Sequence, residues 1–309
     1  MPTNSPDVVC LASWNADLVS RVPRPVARGE TLMASAFDIS PGGKGSNAAV
    51  AAARQGARVA LVARIGDDDF GRMGLALWAA EGIDARQVEV APDERSGVAQ
   101  IQVFDDGDNS IAVYRGAGAG LGARHARAAA TLLRACRVVM ASNEVPTECT
   151  AEAFRIARDA GVRTLLNPAP AAVLPDELLA HVDLLTPNES ELRALAGLPD
   201  SAPEAIAAQA LLARGVGAVL VTLGAAGCRL YPGAGQAPQA LPGHEVAVVD
   251  TIGAGDTFTG ALAAALARGL LLPQAMAMAN AAAALSVQGR GAIAGMPGRD
   301  AVAAFLART

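Results

Sequence analysis

The sequence predicts an α/β fold: a mostly parallel sheet flanked by helices on both faces, with a small β-sheet lid. Two observations carry this prediction. Apolar runs of strand length alternate with Ala- and Leu-rich segments of helix length, which is the pattern of βαβ units. Residues 18–41 and 97–115 break that alternation. We therefore expect a single domain over residues 1–309, with the lid formed by those two segments.

The alternation fixes the order of the predicted elements. We expect strands at residues 8–13, 59–65, 138–141 and 163–167, around Leu184, and at 219–222. We expect helices at residues 46–55, 71–81, 125–135 and 147–160, and again after Ala254. Because parallel sheets covered on both faces bind ligands at the carboxyl ends of their strands, functional residues should lie just after the strands.

The two lid segments have a different pattern. Residues 18–40 show no helical period, and residues 98–114 alternate in polarity around a turn at 105–109. Such alternation around a Gly-containing turn is typical of a hairpin. Because a small sheet with one exposed apolar face favours association, we expect a homodimer formed through the lid.

Composition excludes several classes of protein. The 309-residue chain is 52% hydrophobic, which is enough to fill a sizeable core and makes disorder improbable. Its net charge of −5 and pI near 5.3 provide no global basic field, so neither nucleic acid nor an anionic membrane is expected as a partner. The four cysteines lack the paired spacing of zinc sites and disulfide frameworks, which indicates reduced core thiols.

Two stretches bear on membranes and export. Residues 258–287 imitate a membrane span, but Arg268, Gly269, Pro273 and Gln274 interrupt them, which favours two buried helices instead. The first seven residues have neither the basic nor the apolar region of an export signal, and this predicts a cytoplasmic location.

The strongest motif is a glycine-bearing turn at residues 250–260 that leads into an apolar helix near Ala254. The small residues Gly253, Ala254 and Gly255 let the backbone approach a ligand, and the free N–H groups of a helix start favour an anion. Asp256 in the first turn is placed to accept a proton from a hydroxyl beside that anion. The alternative is that Asp256 only caps the helix.

A second glycine-rich segment, residues 42–47, immediately precedes another Ala-rich helix. It fits neither the GxxxxGK[ST] phosphate loop nor the GxGxxG fingerprint. It suits a polyol, because its glycines admit a sugar to the backbone while Lys44 and Asn47 supply directional hydrogen bonds. An ordinary tight turn is the alternative.

Two polar pairs follow other predicted strands. Asn15 and Asp17 are interpreted as the end of the first strand, where alternation sends both to one face and Trp14 to the other, although a polar strand exit is an equal alternative. Asn188 and Glu191 lie one helical turn apart and could hold Mg²⁺ near phosphates. An acidic helix start would explain that second pair equally well.

In this order along the chain, the motifs resemble those of the ribokinase, or PfkB-type, carbohydrate kinases, and the resemblance covers nearly the whole chain. Residues 42–47 are similar to the family's sugar motif, residues 250–260 to its anion-hole signature, and residues 188–191 to its magnesium motif. Residues 13–17, 143–146 and 167–171 also match. The resemblance implies ATP-dependent phosphorylation of the 5-hydroxyl of D-ribose, giving ribose 5-phosphate and ADP.

The resemblance also implies a role for each matching residue. Implied sugar contacts are Asn15, Asp17, Gly43, Lys44, Asn47, Glu144 and Asp256, with Asp256 as the catalytic residue. Implied ATP contacts are Asn188, Thr222, Leu223, Gly224, Ala225, Ala226, Gly227, Gly255, Asp256 and Asn280. Mg²⁺ would be held through Asn188 and Glu191. An activating K⁺ would lie at Asp250, Ile252, Ser286, Gly289, Gly291 and Gly295.

Two residues depart from the family pattern and leave alternatives open. Trp14 stands where an aliphatic residue is usual, and Gly289 replaces a larger one. These departures bear on sugar preference and on cation dependence. A kinase of the same family acting on a nucleoside, deoxyribose or fructose is the first alternative, and a catalytically silent sugar-binding protein is the second. A dinucleotide-dependent oxidoreductase is disfavoured because no GxGxxG follows the first strand.

Overall fold

The structure is a computed structural model that describes residues 5–233 and 235–308. Its strands are β1 (Val8–Ala12), β2 (Asn15–Arg21), β3 (Ala36–Gly42), β4 (Val59–Gly66), β5 (Asp84–Ala91), β6 (Gly97–Val103), β7 (Asn109–Tyr114), β8 (Val138–Ser142), β9 (Arg163–Asn167), β10 (Leu184–Leu185), β11 (Ala218–Thr222), β12 (Cys228–Pro232) and β13 (Gln239–Leu241). Its α-helices are α1 (Lys44–Arg54), α2 (Asp69–Ala80), α3 (Ala123–Ala128), α4 (Ala130–Ala135), α5 (Thr147–Asp159), α6 (Asp176–Leu179), α7 (Glu189–Leu195), α8 (Glu204–Ala213), α9 (Ala254–Ala267), α10 (Leu272–Ser286) and α11 (Arg299–Leu306).

The large sheet confirms the predicted fold class. Among the described residues it has nine strands in the order β13-β12-β11-β10-β9-β8-β1-β4-β5. Strands β11 to β5 along this order are parallel, and at one edge β12 pairs antiparallel with β11 and β13 pairs antiparallel with β12. The carboxyl ends of seven strands therefore meet at one edge, which is where a ligand site is expected.

Helices cover both faces of this sheet, as β1 illustrates. Val8, Cys10 and Ala12 face a core that includes α1, α9 and α10, while Val9 and Leu11 face a second core beneath α3 to α8. The strand is apolar throughout because both of its faces are buried.

Helices α1 and α9 approach each other unusually closely. A Cβ at Gly260 would lie 2.2 Å from the carbonyl oxygen of Ala48, so only glycine permits this contact. The backbone of the helix that begins near Lys44 thus touches the backbone of the helix that carries Asp256.

The small sheet has four strands in the order β3-β2-β6-β7 within the described chain. It begins at Asn15, so the prediction that Asn15 and Asp17 end the first strand was wrong. Strand β1 ends at Ala12, and Trp14 then turns the chain out of the large sheet. The indole of Trp14 is buried against α2, where its Nε1 donates to the carbonyl oxygen of Phe70 at 3.0 Å.

Several element boundaries also differ from the sequence prediction. Helix α1 begins at Lys44, two residues early, and the helix expected over 125–135 breaks at Ala129 into α3 and α4. Residues 258–287 do form two helices, as predicted. In the part of the chain described, no helix is both long and apolar enough to traverse a bilayer, and the four cysteines are free and buried.

Candidate active site

The amino terminus of α9 forms the centre of the site. Gly253 precedes the helix in a left-handed conformation with φ of 76°, which glycine adopts without strain. Asp256 in the first turn is only 6% exposed. Its Oδ2 accepts a hydrogen bond from Asn47 Nδ2 at 2.9 Å, and the N-cap position of α9 is Gly253, not Asp256. Asp256 is therefore directed at α1 rather than used as a helix cap.

The glycine-rich segment before α1 packs directly on the end of β1. A Cβ at Gly43 would lie 2.7 Å from the carbonyl oxygen of Ser13, and one at Gly45 would lie 2.6 Å from Ala12 Cα. This close packing brings Lys44 and Asn47, both in the first turn of α1, beside the start of α9. The two glycine motifs are thus parts of one site.

Glu144, just beyond β8, connects the same parts of the chain. Its Oε2 accepts hydrogen bonds from the Lys44 amide at 2.8 Å and from Ser13 Oγ at 2.7 Å. The carboxylate therefore fixes the start of α1 against the end of β1.

Asn15 and Asp17 reach the site from the lid strand β2, and glycine backbone crowds both of them. A Cβ at Gly97 would lie 2.3 Å from Asn15 Oδ1, and a Cβ at Gly42 would overlap the Asp17 carboxylate. The lid sheet can therefore place these polar groups deep beside the large sheet only because its neighbouring strands carry glycine there.

The electrostatics of the site depend on buried carboxylates around one lysine. Burial raises the pKa of Asp256 to about 6, although Lys44 and the Asn47 hydrogen bond oppose the rise. Burial also raises the pKa of Asp17 to about 7, with further contributions from Glu144 and Asp256. Burial alone would lower the pKa of Lys44, but Asp256 and the other nearby carboxylates raise it. Lys44 is therefore charged at neutral pH, whereas Asp256 and Asp17 titrate near it.

A cleft of about 220 Å³ opens in front of Asp256. It is lined by Lys44, Asn167, Ala169, Thr186, Asn188, Glu191, Thr222, Thr251, Gly253, Ala254, Gly255 and Asp256. Sequence reasoning gave no role to Asn167, Thr186 or Thr251. Asn167 ends β9 and Thr186 directly follows β10, so a search for polar residues at every strand end would have found these two.

Asn188 and Glu191 combine the two features that the sequence analysis gave as alternatives, an acidic helix start and a position suited to Mg²⁺. They form a reciprocal capping box at the start of α7, in which Asn188 Oδ1 accepts from the Glu191 amide at 2.8 Å and Glu191 Oε2 accepts from the Asn188 amide at 2.9 Å. Both also line the cleft. Amide and carboxylate oxygens suit Mg²⁺, which usually keeps waters and takes one or two protein carboxylates beside phosphates. The described residues contain no cluster of three or more His, Cys, Asp or Glu around a metal position, so only such a sparse site fits.

The predicted nucleotide segment follows β11. Thr222 lines the cleft, residues 224–226 form a 3₁₀ turn, and Gly227 has φ of 92°. Asn280 on α10 is buried and donates from Nδ2 to the carbonyl oxygen of Pro242 at 2.9 Å. Asn280 therefore holds the connection between β13 and α9 next to this segment. That connection exposes Val248 and Val249, apolar residues that the sequence reading did not select.

The six residues expected around a monovalent cation come together in two adjacent loops. Asp250 accepts hydrogen bonds from the Ile252 amide at 3.0 Å and the Gly291 amide at 2.8 Å. A Cβ at Gly295 would lie 2.5 Å from the carbonyl oxygen of Ser286 and 3.4 Å from that of Gly291. A Cβ at Gly289 would lie 2.6 Å from Gly295 Cα. The backbone of the two loops is therefore closely packed, and backbone carbonyls are the kind of ligand that replaces the hydration shell of K⁺ in channels.

Comparison with known proteins agrees with this arrangement. The family model described as pfkB family carbohydrate kinase matches residues 5–299. The chain is 37% identical to a ribokinase of Haemophilus influenzae over 298 residues, which cover 96% of this chain and 97% of the relative. It is 35% identical to a deoxyribokinase of Salmonella typhimurium over 294 residues, covering 94% and 95%. The chain belongs to the pfkB family of carbohydrate kinases.

A solved structure extends the likeness to three dimensions. The ribokinase of Arabidopsis thaliana complexed with ribose and ATP superposes with a TM-score of 0.92 at 32% identity, covering 98% of this chain and 99% of that one. The large sheet and the lid sheet therefore correspond to the architecture of a sugar kinase.

Proposed function

We propose that this protein transfers the γ-phosphoryl group of ATP to the 5-hydroxyl of D-ribose, giving ribose 5-phosphate and ADP. One observation carries the proposal: a buried carboxylate, Asp256, bonded to Asn47, stands at a helix amino terminus beside Lys44. A base, an anion site and a cation thereby meet at one point. The similarity to ribokinases, one of them complexed with ribose and ATP, supports the choice of substrates.

The sugar lies between the lid and the large sheet. Asn15, Asp17, Asn47 and Glu144 offer acceptors and amide donors to its hydroxyls, and the glycines at 42–45 let it approach the backbone. Because Asn15 and Asp17 lie on the lid strand β2, closure of the lid over a bound sugar excludes water from the reaction.

Asp256 removes the proton from the attacking hydroxyl. Its pKa of about 6 leaves it mostly ionised at pH 7 yet still basic enough to accept that proton. The Ala254 amide already donates to the carbonyl oxygen of Thr251 at 3.2 Å. The amides of Gly253 and Gly255, with the positive end of the α9 dipole, stabilise the charge on the transferred phosphoryl group. Phosphoryl transfer needs mainly this alignment and charge stabilisation.

ATP and its ions occupy the other side of the cleft. Residues 222–227 and Asn280 position the nucleotide. Asn188 and Glu191 would hold Mg²⁺ through its water shell, and the ion would supply positive charge beside the phosphates of ATP. The loops that carry Asp250 and Gly291 would hold K⁺ next to the backbone that leads into the anion site.

The lid also offers a surface for a second copy of the chain. Phe37 and Ile39 on β3 are exposed on the face of the lid opposite Asp17, and burying them would favour a homodimer. Sedimentation at working concentration tests this: a dimer is expected, and a monomer would contradict it. The cytoplasmic location stays a prediction.

The deciding experiment is a kinase assay that couples ADP release to a panel of ribose, deoxyribose, fructose and nucleosides. We expect ribose to give the highest kcat/KM, and higher activity in K⁺ than in Na⁺. Preference for deoxyribose is the second candidate, favoured by the similarity to a deoxyribokinase. ADP release with none of the sugars would contradict the proposal.

A further inference from the structure

A second and larger cleft lies at the opposite edge of the large sheet. It measures about 940 Å³ and is lined by residues at the amino ends of β8, β9, β10 and β11. The active site lies at the carboxyl ends of these strands, so the two clefts are separated by the length of the sheet. Four arginines line this second cleft: Arg134, Arg137, Arg158 and Arg163.

The charges in this cleft are not balanced by the protein. The carboxylate in its lining, Asp183, forms an ion pair with Arg158. Asp7 lies near Arg137 but pairs with Arg58 at 2.8 Å. Over the residues described, Arg134, Arg137 and Arg163 form no ion pair. Three uncompensated guanidinium groups thus share one cleft in a chain whose net charge is −5.

The backbone holds two of these arginines close together. Arg137 and Arg163 stand at the starts of adjacent parallel strands, and the Arg163 amide donates to the Arg137 carbonyl oxygen at 3.4 Å. Arg134 and Arg158 occupy the last turns of α4 and α5, where the helix dipole favours a cation. Arg137 and Arg163 stand at strand starts, so a helix dipole does not account for their positive charge at this position. Like charges on neighbouring strands are unfavourable, and an anion between them would offset that cost.

Apolar residues also line the cleft. Leu270, Leu271 and Leu272 line it, and Leu271 is 70% exposed. A volume of this size accommodates a ligand as large as a nucleotide. A guanidinium group can donate two parallel hydrogen bonds to the oxygens of one phosphate. We propose that this cleft binds a small phosphate ester, with its phosphate on Arg137 and Arg163 and its organic group against Leu271.

Helix α9 connects this cleft to the active site. Its first turn carries Asp256, while Leu266 in its last turn and Gly269 just beyond it line the arginine cleft. The 14-residue helix spans about 20 Å. A ligand in the cleft therefore contacts the far end of the helix that performs the chemistry.

The test of the arginines is calorimetric titration of tripolyphosphate into the full chain, with the active site saturated by Mg²⁺ and ADP. We expect one additional site, at least about tenfold weaker in the Arg137→Gln/Arg163→Gln double variant. The control is Arg299→Gln/Arg308→Gln, which removes two exposed arginines on and beyond α11 and should bind like the wild type. Absence of a second site, or equal weakening in both double variants, would overturn the proposal.

The apolar residues of the cleft have their own test. The probe is 1-naphthyl phosphate, titrated under the same conditions into the wild type and Leu271→Ser. We expect Leu271→Ser to weaken binding of 1-naphthyl phosphate and to leave tripolyphosphate binding unchanged. Equal affinity of both proteins for 1-naphthyl phosphate would contradict the proposal that the cleft binds the organic group of a phosphate ester. The cleft would then be a site for inorganic anions alone.

Discussion

The sugar side and the nucleotide side of the active site are built in different ways. On the sugar side, hydrogen bonds join residues far apart in sequence, such as Asn47 to Asp256 and Lys44 to Glu144. On the nucleotide side, Asn188 and Glu191 are held by each other in a local capping box. A single change should therefore disturb several parts of the sugar side, whereas the nucleotide side should tolerate changes one at a time.

The largest effect is expected at Asp256, where the two sides meet. Asp256→Asn removes the base but keeps an acceptor for Asn47. We expect kcat to fall by roughly 10²- to 10⁴-fold while the KM for sugar changes little, as measured by steady-state kinetics. The matched control, Asp93→Asn, alters an exposed carboxylate and should behave like the wild type. Near-normal turnover in Asp256→Asn would remove Asp256 from the mechanism.

Thermal unfolding at pH 8 shows whether the Asp256→Asn variant is intact. The folded-state pKa of Asp256 is raised from 3.8 to about 6, so its contribution to stability is present below pH 3.8 and is lost as pH rises through 6. At pH 8 the buried charge is therefore a cost, on the order of 1–3 kcal/mol. Asp256→Asn should unfold at a higher temperature than the wild type, and a lower one would contradict this account of the burial.

Glu144→Ala tests whether the sugar side acts as one connected unit. The substitution leaves the Lys44 amide and Ser13 Oγ without their acceptor. Because hydrogen bonds to a charged group contribute about 1.5–3 kcal/mol, we expect the KM for sugar to rise by roughly 10- to 100-fold. The KM for ATP should change much less. Equal changes in both constants would show that the two sides are not separate.

The pH profile tests the raised pKa of Asp256 directly. Because the reactive form is the carboxylate, kcat should decline below pH 6, by about tenfold per pH unit. Asp256→Asn should lose the decline centred near pH 6, and any decline that remains near pH 7 belongs to Asp17. A wild-type profile that stays flat down to pH 5 would contradict the assignment of Asp256 as the base.

The smallest effect is expected on the nucleotide side. Glu191→Gln removes a charge but keeps an oxygen that can cap α7, so the fold should be undisturbed. Glu191 is only partly buried, and we expect the KM for MgATP to rise by less than about tenfold with no change for sugar. Titration with Mg²⁺ measures the same effect, and an unchanged Mg²⁺ requirement would exclude Glu191 from the metal site.

Much of the fold was predictable because its signals are local. The apolar strands and Ala-rich helices of the large sheet follow directly from hydrophobic period, and β9 was predicted with its observed bounds, Arg163–Asn167. The first lid strand was misassigned because Asn15 follows β1 after only Ser13 and Trp14. The turn between them depends on where the Trp14 indole packs, a tertiary contact that no local pattern reveals.

The candidate site was predictable in its parts and not in its connections. The glycines before α1 and α9 have a local conformational signature, and so does the capping box of α7. The bond between Asn47 and Asp256 spans 209 residues, and the double use of Glu144 depends on the packing of β8 beside β1. The spacing of residues along the sequence predicts neither of these two contacts.

The contact between Gly260 and Ala48 fixes the position of helix α1 relative to helix α9. Neither helix can slide without a clash or a gap, so the separation between Lys44 and Asn47 on α1 and the first turn of α9 is fixed. A substrate must then match that distance. Only the hydroxyl that lies at the correct distance from the bound end of the sugar meets the phosphorus atom of the γ-phosphate. Regioselectivity in this enzyme would thus come from backbone packing outside the pocket.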